Sequence, residues 1–158
     1  MADLREFMRR VPQCVTVVTT FYDGAPHGMT VSSFTSVSLE PPLVTIALEK
    51  TAATCRMVLK SRRFAVNLLS QNQPQISDVF AYANHHERFL KIRYRVERNV
   101  YPVLDGVIGV LMCVVDDVHE AGDHLVVVGR VEAAEVYSDE PPLVYLQRQY
   151  HTVKSIKG

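Results

Sequence analysis

Turn signals punctuate this chain at short intervals, and the stretches between them are rich in β-branched residues. Asp23-Gly24 and Gly122-Asp123 are hairpin signals, and Pro41-Pro42 and Pro141-Pro142 are strand breakers. Between them lie runs such as Val15-Thr16-Val17-Val18-Thr19-Thr20 and Leu125-Val126-Val127-Val128. Branching at Cβ favours extended backbone, because such side chains pack well on a pleated surface. Strands are expected over residues 14–22, 27–39, 43–48, 64–69, 107–118, 125–137 and 143–146. Helices are expected over 2–10, with Leu4, Phe7 and Met8 on one side, over 52–60 with Thr51 as N-cap, and over 73–83 with Pro74 in the first turn. Residues 84–105 carry no clear period.

Strands and helices do not alternate along the chain, and no GxGxxG follows a strand, so a parallel nucleotide-binding sheet is disfavoured. A mainly β fold is expected instead: a closed or partly closed antiparallel barrel with peripheral helices. The 158 residues suit a single domain spanning 1–158, and 47% hydrophobic against 22% charged residues provides for a core. Residues 107–115 are apolar on both strand faces, which points to a homodimer in which a second copy covers the outside.

Composition also excludes partners. Lys+Arg and Asp+Glu both number 17, so the basic excess of a nucleic-acid binder is missing. No run approaches the ~20 apolar residues that span a bilayer. Asp3, Arg5 and Glu6 stand where a signal peptide would be basic and then apolar, so no membrane association and a cytoplasmic location are expected. Cys14, Cys55 and Cys113 are odd in number and form no CxxC, which argues against a disulfide framework or structural zinc. His85-His86-Glu87 lacks the spacing of HExxH and no GxSxG occurs, so neither a metal site nor a hydrolytic nucleophile is expected.

Four segments carry candidate chemistry. Residues 28–38 hold six hydroxyl side chains. On a continuous strand Thr30, Ser32, Ser36 and Ser38 would line one face, and Ser33 and Thr35 the other. Such a row suits a ligand with many polar edges, and equally a solvated edge strand. Lys50, Thr51 and Thr54 lie where a strand gives way to a helix, a place that attracts phosphate or simply carries a cap and a surface lysine. Gly122-Asp123-His124 would set an imidazole at a strand start. Arg148 to Tyr150 would pair with and stack on a dinucleotide, or form a solvated tail.

With those residues identified, the chain resembles the flavin reductases of the FMN-binding split-barrel type, in particular the small reductase components of two-component monooxygenases. The resemblance runs through residues 28–44, Phe64-Ala65-Val66-Asn67-Leu68-Leu69, residues 122–132 and residues 142–150. It implies a Greek-key split barrel and hydride transfer from NADH or NADPH to FMN or FAD. A separate flavin-dependent monooxygenase would receive the reduced flavin. It also implies residue roles. Thr30, Val31, Ser32, Ser33, Ser36, Val37 and Ser38 would contact the isoalloxazine rim and ribityl chain. Lys50, Thr51 and Thr54 would hold the flavin phosphate, and Phe80 would line the pocket. His124 would lie by the nicotinamide as the catalytic, positioning residue, with Arg148 and Tyr150 in the dinucleotide region. Val31-Ser32 replaces a frequent Ala-Asn, Val79 stands where an Arg commonly precedes Phe, and Gln149 replaces a frequent Gly. A non-catalytic flavin- or haem-binding protein on the same barrel is the alternative. A pyridoxamine-phosphate oxidase relative would need a larger basic phosphate cluster.

Overall fold

The computed structural model describes residues 3–157. Along the chain run α1 (Leu4–Met8), β1 (Gln13–Cys14), β2 (Thr16–Tyr22), β3 (Ala25–Val31), β4 (Thr35–Leu39), β5 (Pro42–Glu49), α2 (Ala53–Ser61), β6 (Arg63–Leu68) and α3 (Pro74–Tyr82). A 3-10 turn at His85–Glu87 follows, then β7 (Tyr94–Glu97), β8 (Tyr101–Leu104), β9 (Gly109–Ala121), β10 (His124–Val136), β11 (Val144–Leu146) and β12 (Gln149–His151). Seven strands form one antiparallel sheet in the order β3-β2-β6-β9-β10-β5-β4. The expected mainly β, antiparallel architecture is therefore found.

The two hairpins turn where the sequence marks them. Asp23 and Gly24 both adopt positive φ, as the tight β2–β3 connection requires. Gly122 does the same between β9 and β10, whose 13-residue strands pair along nearly their whole length. A bulge at Asp116 bends β9 and one at Glu132 bends β10. A Cβ on Gly129 would come within 2.4 Å of Cζ of buried Phe64, so only glycine lets this ring lie against the strand.

Side-chain alternation sends β9 into two cores. Val110 and Met112 join Val17, Ala65, Phe80, Tyr101, Val103 and Leu104 on one face. Cys113 and Val115 join Val18, Ile46, Leu48, Val58, Phe64 and Val127 on the other. The two-sided apolarity of residues 107–115 is thus largely satisfied within the chain, because β8 and α3 cover the outer face. Within the 84–105 stretch, residues 101–104 show no period because every residue of β8 is buried, which removes the alternation a half-exposed strand would show.

The strand expected over 27–39 is two strands. It breaks at residues 32–34, and β3 and β4 then lie at opposite edges of the sheet. At the break the Ser33 hydroxyl donates to Ala47 O (2.8 Å) and accepts from Ala47 N (2.9 Å). A side chain thereby satisfies β5 backbone groups where a continuous ladder would have done so, and the barrel is split at this point. Helix α2 begins one residue later than expected. Its N-cap is Ala52, not Thr51, and no side chain caps it. Pro74 opens α3 as expected. The cysteines are free, and burial raises the thiol pKa of each, that of Cys113 to about 12. Among the described residues no helix is long and apolar enough to cross a membrane, and no cluster of three metal-ligating side chains occurs.

Candidate active site

Thr30, near the end of β3, is the common wall of three adjoining cavities. Its hydroxyl donates to Ser77 O (2.7 Å), which fastens β3 to α3. The first cavity, about 360 Å³, lies between the start of α2 and the end of α3 and is lined by Glu49, Thr51, Thr54, Phe80, His85 and Arg88 among others. The second, about 310 Å³, is lined by Val31, Ser32, Ser33, Ala47, Glu49 and His124 together with Thr30 and Met29. The third, about 130 Å³, is lined by Ser32, Ser77, Ala81, Tyr145 and Tyr150. Together they form one trough along the split of the barrel.

The first cavity has the chemistry of an anion site. An α-helix leaves its first-turn N–H groups unpaired and its N-terminus partly positive, and α2 has no side-chain cap to neutralise either. Thr54 Oγ1, in that first turn, is buried and has no hydrogen-bond partner. Across the cavity, Arg88 donates from Nε to Ala83 O (3.0 Å) and from Nη1 to Gly28 O (2.7 Å). Those two bonds fix the guanidinium plane and leave other N–H donors free. Burial lowers the Arg88 pKa from the usual arginine value. Phe80 is fully buried, forms the floor, and meets Phe89 edge-on at 5.0 Å.

Lys50, expected at the phosphate, points elsewhere. It pairs with Glu120 on β9 and does not line the cavity. Ser36, Val37 and Ser38 also lie outside the trough, because β4 runs along the far edge of the sheet beyond the break at residues 32–34. Arg88 was missed because it lies within the 84–105 stretch, which carries no clear period. The clue was present: Arg88-Phe89 is an Arg-Phe pair, the pair sought in vain at Val79-Phe80. Glu49 and His85 were missed as well. Glu49 is the last residue of β5, opposite His124 in the ladder, and it lines two of the cavities.

His124 opens β10 at the rim of the second cavity, and its Nδ1 lies 2.8 Å from Asp123 Oδ1. The imidazole beside it holds the Asp123 carboxyl below its ordinary pKa. Tyr150, on β12, donates to Asp78 Oδ1 (2.6 Å), lies 2.8 Å from Ser77 Oγ, and meets Tyr145 edge-on at 5.4 Å. Burial, and then the Asp78 carboxylate, push its phenol pKa up to about 12. Tyr150 therefore reaches the trough. Arg148 does not: it lines a separate cavity against α1.

A flavin reductase like domain matches residues 8–154. The chain belongs to the flavin reductase family. Across 156 residues it is 35% identical to the actinorhodin polyketide dimerase of Streptomyces coelicolor, covering 98% of this chain and 88% of that protein. It is 34% identical over 145 residues to the flavin-dependent monooxygenase reductase subunit HsaB of Mycobacterium tuberculosis, covering 90% of this chain and 77% of HsaB. The NADH:FAD oxidoreductase SgcE6 of Streptomyces globisporus, solved with NAD and FAD fragments, superposes with a TM-score of 0.91 at 29% identity, covering 98% of this chain and 93% of that one. As a flavin reductase the chain is an oxidoreductase.

Proposed function

We propose that this reductase binds flavin along the Thr30 trough, reduces it with a nicotinamide dinucleotide, and supplies the reduced flavin to a separate monooxygenase. The observation that carries this reading is Thr54, which lines the same cavity as Arg88 and whose hydroxyl is buried without a partner in the uncapped first turn of α2. A buried hydroxyl without a partner costs roughly 1–3 kcal/mol, and a flavin phosphate at the α2 N-terminus would give it one. Thr51 and Thr54, joined by Arg88 in the role first given to Lys50, hold that phosphate. Thr30, Val31, Ser32 and Ser33 flank the ring, over the Phe80 floor.

The flavin, when bound, supplies the hydride-accepting centre. The chain's own part is to bind and orient. Ser33 is engaged on both sides by Ala47 and presents a rigid wall. His124, held by Asp123, positions the nicotinamide at the open rim, and Tyr150, on β12 and tied to Asp78 of α3, borders the same trough. A near-attack arrangement needs reacting atoms about 3–3.5 Å apart, and these fixed walls serve that requirement. Delivery to a partner is supported by relatives such as HsaB, whose name is that of a reductase subunit of a monooxygenase.

Two copies associate through the apolar groove that β8 and α3 leave uncovered. It is about 230 Å³ and lined by Phe34, Leu68, Ile108, Leu111 and Val136 among others. Val136 is 80% exposed in the single chain, as a residue awaiting a partner would be.

Mixing the purified protein with FMN or FAD and with NADH or NADPH, while following loss of dihydronicotinamide absorbance, tests the reading. Flavin-dependent oxidation of the donor is expected. Flavin binding without turnover would favour the non-catalytic barrel.

A further inference from the structure

A fourth cavity of about 340 Å³ lies between α1 and the β11–β12 turn, lined by Arg5, Arg9 and Arg148 with Met8, Gln13 and Tyr145 among others. It shares one wall residue with each of two trough cavities. Gln13 also borders the cavity that holds Ser32 and His124, and Tyr145 also borders the cavity that holds Tyr150.

Three arginines line this cavity and no acidic residue does. Among the described residues, Arg9 and Arg10 pair directly with Glu6, and Arg148 lies near enough to help lower the Glu6 pKa, while neither Arg5 nor Arg148 makes a direct ion pair. Arg148 is the second residue of the two-residue turn that joins β11 to β12. Gln147 and Arg148 adopt φ of 52° and 63°, left-handed values that cost a residue with a Cβ about 1 kcal/mol or more each. The turn is held against α1 by Gln147 N donating to Arg9 O (3.0 Å). Like charges brought together from α1 and from the β11–β12 turn, with no carboxylate in the lining, form an arrangement that an anion completes.

We infer that this cavity is the subsite for the ribose 2′-phosphate of NADPH, and that it makes the protein favour NADPH over NADH. The inference rests on the reading that the neighbouring trough reduces flavin with a nicotinamide dinucleotide. Arg5 and Arg148 engage the phosphate oxygens, Arg9 adds charge, and Met8 and Tyr145 offer apolar faces to the adenosine. The nicotinamide end then reaches His124 by way of Gln13.

The test is the double variant Arg5→Gln/Arg148→Gly, in which glycine also relieves the left-handed turn. kcat/KM for NADPH is expected to fall roughly ten- to a hundred-fold, with that for NADH changing less than about threefold. Calorimetry on the flavin-free protein should show 2′,5′-ADP binding more tightly than 5′-AMP, with the difference lost in the double variant. Equal losses for both donors, equal affinities for the two fragments, or a loss that falls on FAD relative to FMN would each overturn the assignment. If the unaltered protein oxidises neither donor, the reductase reading fails. The fragment titration still decides whether the arginine cavity takes a 2′-phosphate.

Discussion

The His27 and His85 imidazoles stack with centroids 5.1 Å apart, and Nδ1 of His27 lies 2.8 Å from Nε2 of His85. One ring donates and the other accepts, so the contact requires at least one bare nitrogen. Partial burial, then the neighbouring charges of His27, Arg88, His86 and Arg56, push the His85 pKa down to about 4, and burial lowers that of His27 too. The pair therefore stays neutral at the edge of the α2 cavity, beside Arg88.

This sets a pH dependence. Between about 4 and the ordinary histidine value near 6.5, the unfolded chain binds the His85 proton and the folded chain does not, so stability rises with pH through that window. It is fully present above the upper limit and is lost as pH falls toward the lower. Because His85 is only partly buried, solvent screening holds the effect to about 1 kcal/mol or less. Thermal melts of His85→Gln should show a shallower rise over this window than the unaltered protein, and parallel curves would remove His85 as the cause.

Thr54→Val should act in opposite directions on stability and binding. Removing a buried, unpartnered hydroxyl is expected to leave the flavin-free protein unchanged or stabilise it by about 1 kcal/mol. The same change should weaken FMN roughly tenfold. Denaturant melts and flavin titration on one preparation report both signs.

Arg88→Gln is expected to weaken FMN roughly ten- to a hundred-fold. Lys50→Ala should change the affinity by less than about twofold, since an exposed Lys–Glu pair contributes little. Calorimetric titration separates these, and the reverse order would return the phosphate to Lys50.

For His124→Ala, KM for the nicotinamide donor should rise about threefold or more while flavin affinity stays within about twofold, as removal of a donor-binding contact predicts. Steady-state kinetics combined with flavin titration distinguishes this from a general loss of the site.

Gly129→Ala should destabilise the fold by about 1–3 kcal/mol, because the new methyl meets Phe64 in a packed core. A melting temperature lower by about 2–4 °C per kcal/mol is the corresponding readout. An unchanged midpoint would mean that the ring has room to move.

How much of this was readable beforehand depended on whether a residue's role is local. The hairpins at Gly24 and Gly122 and the start of α3 at Pro74 follow from backbone preferences of single residues, and they were legible. Thr54 and His124 were legible because each sits at the junction of two elements. The break after Val31 was not, since Ser33 finds its partner on Ala47 fourteen residues away. Nor was Arg88, whose two anchors, Gly28 O and Ala83 O, are brought together only by the tertiary fold. Ser36 to Ser38 were misplaced for the same reason: alternation extrapolates along one strand and cannot register a crossing to the opposite edge.

Three compartments share a single threonine, and its hydroxyl is tied to the carbonyl of Ser77. The wall common to all three is thus anchored to α3, so a substitution at Thr30 alters every compartment at once.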